Sequence, residues 1–482
     1  MQQRNLEAAA IALMILVASL FVFSAYAWVG PGWDLIAHFL NGRSLDSQSF
    51  YACLSTPNCM LSNQDSAIYF EPFRAPLSGA IMGILEYVFK YDAMPIYVSL
   101  LFAFFIFSVY YAAKSIGIKT IAAFAAFLSP YLLFYALLPN STEMLSLSFA
   151  LIGIGLLYKG RPLAGLAFGF ASISKYVALI MLPMLLLLYK PKKIALSTVL
   201  FALPVVPWLL VNRITFGNYL FSYTEALSIV SSSVFQNGIS ASALFNVLSY
   251  PAVLGIVLIA FAYVSTRSRQ VKAGKIKSSK PRYTSLRSVF KFDMRAFYIL
   301  ILFVAFALAS YLFIAFKRDA FTQMRFGYMF YGSVALLLSY MFTSLRSKHN
   351  SGAIAIMVII AIFVLLLGLY HMLSVMKYTP AQSIVNPIYS SAKATLANYN
   401  LEGCRFVTND WIYMLYLNES AFSPFSSNSI EYSYPVLLFK GAYASTSPSL
   451  LINFTKGKEQ VFNSTYYSIF EANNYNCTTA AG

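Results

Sequence analysis

Charge is what this chain of 482 residues lacks: only 11% of it is Asp, Glu, Lys or Arg. A soluble globular domain carries about a quarter, so a wholly water-facing protein is excluded. Acidic charge is the scarcer kind, with 17 Asp and Glu against 34 Lys and Arg. The resulting net charge of +17 could suit nucleic acid. The basic residues sit in short loops between apolar runs, however, which is the pattern of loops held in the cytoplasm. No nucleic-acid partner is expected. Cysteine is scarce too: Cys53, Cys59, Cys404 and Cys477, none of them in an apolar run. Their spacing does not suit zinc. Four cysteines allow three pairings. Cys53–Cys59 and Cys404–Cys477 are expected as local disulfides if both regions face an oxidising compartment, with free thiols as the alternative. There is no internal repeat. A cleavable leader is not expected either, because the first apolar run, 8–29, is too long for a signal core and lacks a cleavage site.

What the chain has instead is apolar surface, at 59% hydrophobic and 17% aromatic residues. Apolar runs of spanning length occupy 8–29, 94–113, 119–138, 143–158, 194–211, 246–266, 296–316, 326–343 and 352–374. About 20 residues cross the hydrocarbon core. The run 163–189 differs, because it carries Lys175 near its middle. If it crossed once, the basic stretch 266–295 would face outside. If it enters and returns, every basic loop is cytoplasmic. Two short helices are therefore expected, about 163–173 and 176–189, with Lys175 at their outward apex. Such half-helices require protein or a cavity around them. The count is then about eleven membrane segments, with the N-terminus cytoplasmic and the C-terminus outside.

Other features agree with that topology. The sequons at Asn140, Asn418, Asn453, Asn463 and Asn476 fall on the outer side, as do all four cysteines. So do all acids except Glu7 and Asp293. The expected fold class is an all-α polytopic membrane protein with a small C-terminal α/β domain. Residues 1–376 form the transmembrane domain and 377–482 the extracytoplasmic one. Within the first, 29–93 is an outer loop, and 266–295 is a basic cytoplasmic loop that orients the chain and touches lipid headgroups. The stretch Leu77 to Phe89 reads as an interfacial helix, and 212–245 as a second outer loop. In the tail, Arg405–Thr408 and Pro435–Phe439 look like strands, and Trp411–Leu417 like a short helix.

The topology places Asp34, His38, Glu71, Arg74, Glu143, Lys175, Arg318 and Arg325 at outer membrane edges. Ionisable groups there are costly unless they serve a site or reach water. Carboxylates and cations at one depth suit sugar transfer from a lipid phosphate. A carboxylate can take a proton from the acceptor hydroxyl, and cations can stabilise the departing phosphate.

Gly32-Trp33-Asp34, Glu71-x-x-Arg74-x-Pro76-Leu77 and Ser141-Thr142-Glu143 together resemble the GT-C superfamily of membrane glycosyltransferases that use polyprenyl-phosphate sugars. The segment from Gly165 to Tyr176 is similar to the glycine-rich helix ending in lysine of its protein O-mannosyltransferase and aminoarabinose-transferase branches. Arg325-Phe326-Gly327-Tyr328 resembles the Arg-Tyr segment opening a late helix there. The resemblance runs over most of residues 1–343. It implies inverting transfer of a sugar from a polyprenyl (dolichyl) phosphate donor at the outer face. Asp34 would be the base, with Glu143 and Glu71 as further catalytic carboxylates. Lys175, Arg325 and Arg74 would contact the donor phosphate, and His38 and Trp33 the substrate. Asp34 and Glu143 would hold Mg²⁺ or Mn²⁺ if a metal is used. The acceptor could be a glycan, a lipid or a protein. An archaeal-type plasma membrane fits, with the endoplasmic reticulum as the alternative.

The pattern departs from the superfamily in places. Leu35 stands where a second acid usually follows Asp34, and Ala75-Pro76 stands for a Pro-Pro. The tail lacks the Trp-Trp-Asp of oligosaccharyltransferases. Plainer readings also exist. Asp34 could cap the helix that follows it, Glu143 could complement a helix dipole, Glu71 and Arg74 could pair, and Lys175 could snorkel. A lipid-linked glycan flippase and a silent assembly scaffold remain alternative functions.

Overall fold

The computed structural model describes residues 12–13, 15–16, 19–20, 23, 33–46, 74–89, 93–127, 141–232, 293–317, 327–344, 382–399, 401, 404, 406–410, 413–414, 417, 421–422, 434–440 and 451–471. The chain divides into two compact units. One is Met1–Ile15, Leu101–Leu209 and Tyr223–Leu373; the other is Leu16–Leu100, Leu210–Ser222 and Ser374–Gly482. In chain order the helices are α1 (Trp33–Asp46), α2 (Pro76–Phe89), α3 (Ala93–Ile116), α4 (Thr120–Phe127), α5 (Ser141–Tyr158) and α6 (Ala164–Ser174). A 3₁₀ turn (Tyr176–Met181) leads to α7 (Leu182–Leu188), α8 (Pro191–Phe216) and α9 (Phe221–Ser232). Then come α10 (Met294–Lys317), α11 (Tyr328–Ser344) and α12 (Gln382–Asn398).

Three helices among the described residues, Ala93–Ile116, Pro191–Phe216 and Met294–Phe313, are long and apolar enough to cross a bilayer. With the composition, they make this an integral membrane protein. The run with the internal lysine breaks as its charge requires, into α6 and α7 with Lys175 between. The interfacial segment is helical over Pro76–Phe89. Over 212–232 the expected second outer loop is largely helical, since α8 continues to Phe216, Gly217 turns the chain at φ +71°, and α9 follows; 233–245 lie outside the described residues. The first amide of that new helix, Phe221 N–H, donates to Asn218 O (3.3 Å), and the second, Ser222 N–H, donates to Asn212 Oδ1 (3.1 Å). The runs 246–266 and 352–374 lie outside the described residues.

The first unit is packed through small residues. Gly165 and Gly169, one turn apart on α6, bring that helix against the backbone of α8. A Cβ at Gly169 would stand 2.5 Å from Phe201 O and 2.6 Å from Pro204 Cγ, and one at Gly165 would overlap Ser197 O. Small-xxx-small spacing lets helix backbones meet where lipid offers no hydrophobic drive. Phe149 of α5 sits between Phe104 and Phe170, with ring centroids at 4.9 and 5.2 Å. At the other end of α5, Tyr158 donates to Asp293 Oδ2 (2.5 Å), and Tyr340 donates to Asp293 O (2.9 Å). This ties α5, the start of α10 and α11 together. The Tyr158 hydrogen bond holds the Asp293 carboxyl below the usual carboxylate range.

In the second unit, α1 and α2 touch through glycine. A Cβ at Gly83 would stand 2.7 Å from Gly42 O, and one at Gly79 would stand 3.3 Å from His38 O. The tail carries a mixed five-stranded sheet: β1 (Phe406–Thr408), β2 (Ala421–Phe422), β3 (Val436–Phe439), β4 (Glu459–Asn463) and β5 (Tyr467–Glu471), in the order β2-β1-β3-β5-β4. β1 pairs in parallel with β2 and β3, while β5 is antiparallel to β3 and β4. Val407, Val436, Leu451 and Phe454 form the core on the sheet. Asn409 extends the β1–β3 pairing with its side chain, donating to Phe439 O (3.0 Å) and accepting from Phe439 N–H (2.9 Å). The two expected strands are there, and α12, which packs Tyr389 on Tyr413 and Phe439, adds a helix not expected from sequence. Cys404 is buried and disulfide-bonded; Cys53, Cys59 and Cys477 lie outside the described residues.

Candidate active site

The site grows out of the break after α6. That helix ends at Ser174 because Lys175 takes an extended backbone, φ −156° and ψ 121°, while its N–H still closes the last turn on Ala171 O at 3.0 Å. The 3₁₀ turn starts at Tyr176. Lys175 is therefore a corner residue, and its side chain leaves the apolar run sideways. Lys175 Nζ donates to Glu143 Oε1 at 2.5 Å. Glu143 lies in the first turn of α5, where a negative charge also meets the positive end of the helix dipole. Its side chain is fully buried, whereas that of Lys175 is 27% exposed. Thr142 Oγ1 donates to the second carboxylate oxygen, Oε2, at 2.8 Å.

A charge buried this deeply is tolerated only when paired and hydrogen-bonded. Both Glu143 oxygens are so engaged. Lys175 has three donors and Glu143 as its partner among the described residues, so it keeps donors for a further anion. A cation at Glu143 would have to compete with Lys175. Among the described residues no three His, Cys, Asp or Glu gather into a metal-binding group.

The pair rests on a second network one turn along α5. Ser146 Oγ donates to Ala171 O (2.9 Å), and the buried Tyr328 hydroxyl donates to Ser146 Oγ (2.9 Å). These bonds fix α5, α6 and α11 to each other beside the pair. Past Lys175, Trp208 Nε1 donates to the Tyr176 hydroxyl (3.0 Å), and the Tyr176 and Tyr223 rings lie 4.2 Å apart. Sequence reasoning missed Ser146, Tyr176, Tyr223 and Trp208 as parts of this arrangement. Ser146 carries a signal, standing three residues after Glu143 on the same helical face.

The second unit holds Trp33, Asp34, His38 and Arg74. The first three are on α1, and Arg74 lies just before α2. His38 sits beside Gly79 and Gly42 beside Gly83. His38 is buried and Arg74 half-buried. Glu71, Arg318 and Arg325 lie outside the described residues, as do the side chains of Trp33 and Asp34.

No family model matches the chain, and no curated protein matches it. Among solved structures, it is similar to ArnT from Cupriavidus metallidurans bound to undecaprenyl phosphate. The identity is 12%, the match covers 95% of this chain and 97% of that one, and the TM-score is 0.56. It also matches the archaeal oligosaccharyltransferase AglB from Archaeoglobus fulgidus, in complex with an inhibitory peptide and a dolichol-phosphate. There the identity is 12%, with 90% and 70% of the two chains covered and a TM-score of 0.43. The likeness to ArnT extends over nearly the whole of both chains, and it is a likeness of fold.

Proposed function

We propose that this protein is a membrane glycosyltransferase that moves a sugar from a polyprenyl (dolichyl) phosphate carrier to an acceptor at the outer face. The observation that carries the reading is Lys175. It is a cation at the corner of a broken membrane helix, held by a buried carboxylate, with donors to spare. A lipid phosphate at the membrane edge is the anion such a cation suits. The GT-C fold, and the undecaprenyl phosphate bound to ArnT, support the same assignment.

In this reading Asp34 accepts the proton of an acceptor hydroxyl. The hydroxyl oxygen attacks the anomeric carbon from the face opposite the phosphate. The bond between that carbon and the phosphate oxygen breaks, with inversion. The polyprenyl phosphate leaves with the electron pair, and Lys175, Arg325 and Arg74 meet its charge. Glu143 keeps Lys175 at its corner, and Glu71, His38 and Trp33 complete the acceptor side. The tail 377–482 is an extracytoplasmic domain, the N-terminus is cytoplasmic, and the membrane is an archaeal-type plasma membrane. The deciding experiment is sugar transfer by the purified protein from a panel of polyprenyl-phosphate sugars, with Asp34→Asn losing turnover and keeping donor binding.

A further inference from the structure

Tyr223 carries a hydroxyl that no described residue engages. It lies on α9, and its oxygen is shut off from solvent with no hydrogen-bond partner among the described residues. Buried polar groups are nearly always paired, and each exception calls for a cause. A phenylalanine would fill the same space without the cost of an unmade bond. Burial pushes the phenol up to about 12, so it keeps its proton and remains a donor.

Its surroundings say what it is for. The Tyr223 ring packs on Tyr176 with centroids 4.2 Å apart and planes at 38°. Tyr176 follows Lys175 directly, and its own hydroxyl already accepts from Trp208 Nε1. The unused donor is therefore one ring away from the residue beside the site cation. An aromatic pair contact is weak next to a hydrogen bond to a charged oxygen, so an arriving anion could part the two rings.

We propose that Tyr223 is a donor-contact residue, whose hydroxyl donates a hydrogen bond to an oxygen of the polyprenyl-phosphate donor seated at Lys175. The acceptor oxygen belongs either to the phosphate or to a sugar hydroxyl. The inference rests on the function proposed above and adds to it a residue that reads the donor's head.

The test uses full-length protein in nanodiscs with two probes, undecaprenyl phosphate and a hexosyl derivative of it. Tyr223→Phe should weaken binding about five- to tenfold, the loss of one hydrogen bond. The melting temperature of the empty variant should stay level or rise. Weakening with both probes places the contact on the phosphate, and weakening with the hexosyl probe alone places it on the sugar. Unchanged affinity for both probes overturns the inference, as does weaker binding that comes with a less stable empty protein. Lys175→Met separates the two levels of argument. If it loses the probes while Tyr223→Phe keeps them, only the Tyr223 assignment fails. If wild type binds neither probe, or Lys175→Met binds as wild type does, the underlying reading fails as well.

Discussion

Lys175 and Glu143 stand 32 positions apart in the sequence, yet Nζ of the first lies 2.5 Å from Oε1 of the second. The contact joins the corner of the broken helix to the first turn of α5. The lysine is partly exposed and the glutamate fully buried, so the two ends of the pair do different work. Glu143 is held at both carboxylate oxygens, and Lys175 is the end of the pair that solvent reaches. Removing the lysine strands a buried carboxylate, which costs about 3–5 kcal/mol. Lys175→Met should therefore lower the melting temperature in nanodiscs. Glu143→Gln combined with Lys175→Met should recover part of the loss, because a neutral amide needs no counter-charge. A double variant no more stable than Lys175→Met would show that the pair does not couple.

Gly165 and Gly169 admit no side chain. Gly165→Ala places a methyl on Ser197 O and Gly169→Ala one on Phe201 O. Both obstacles are backbone and cannot rotate away. Overpacking of this kind costs typically 1–3 kcal/mol. Gly117→Ala meets no atom within 4 Å, and its penalty comes only from its φ of +81°. Thermal unfolding should rank Gly165→Ala and Gly169→Ala below Gly117→Ala, and the reverse order would contradict the α6–α8 packing.

Asp293 gives a pH signature. Its carboxyl is held below the usual range, chiefly by the Tyr158 hydrogen bond. A depressed folded-state value adds stability above the unfolded carboxylate value, about 3.9, and that stability is lost as pH falls through the folded value. The group is exposed, so the effect stays under about 1 kcal/mol. Tyr158→Phe should melt below wild type at pH 7, and the gap should narrow as pH drops below about 4. A gap that does not change with pH would mean the hydrogen bond is not the cause.

Tyr328→Phe tests the network beside the pair. It removes the donor to Ser146 Oγ while leaving the Ser146–Ala171 bond. The expected cost is about 1 kcal/mol, read by thermal unfolding. Transfer activity should fall further than stability does, because α6 and its corner lysine lose a brace. Equal activity in both proteins would reduce Tyr328 to packing.

The broken helix was legible from sequence because a lysine inside an apolar run demands a reason, and the parity of the basic loops supplied one. Its partner was not legible. Glu143 reads locally as a first-turn acid, and only the packing of α5 on α6 brings it to Lys175. Helix α9 was hidden for a similar cause, since Asn212 of α8 supplies the acceptor for its Ser222 amide. The local signal was Asn218, whose Oδ1 accepts from Leu220 N–H (3.0 Å) and whose O accepts from Phe221 N–H (3.3 Å). In the tail, buried Ile388, Tyr389, Ala392 and Leu396 carry a helical period, and the polar residues between them masked it. The strands were read correctly at Phe406–Thr408 and Val436–Phe439, where apolar β-formers run without interruption.

Sugar transfer from a lipid phosphate is the activity proposed for this chain. The most direct test follows radiolabelled sugar from a panel of polyprenyl-phosphate donors, in wild type and Asp34→Asn. Wild type should transfer the sugar, or slowly hydrolyse one donor, with release of polyprenyl phosphate. Asp34→Asn should bind that donor and leave it intact. No turnover with any donor, together with tight binding that depends on Lys175, would contradict the enzyme and point to a flippase or scaffold.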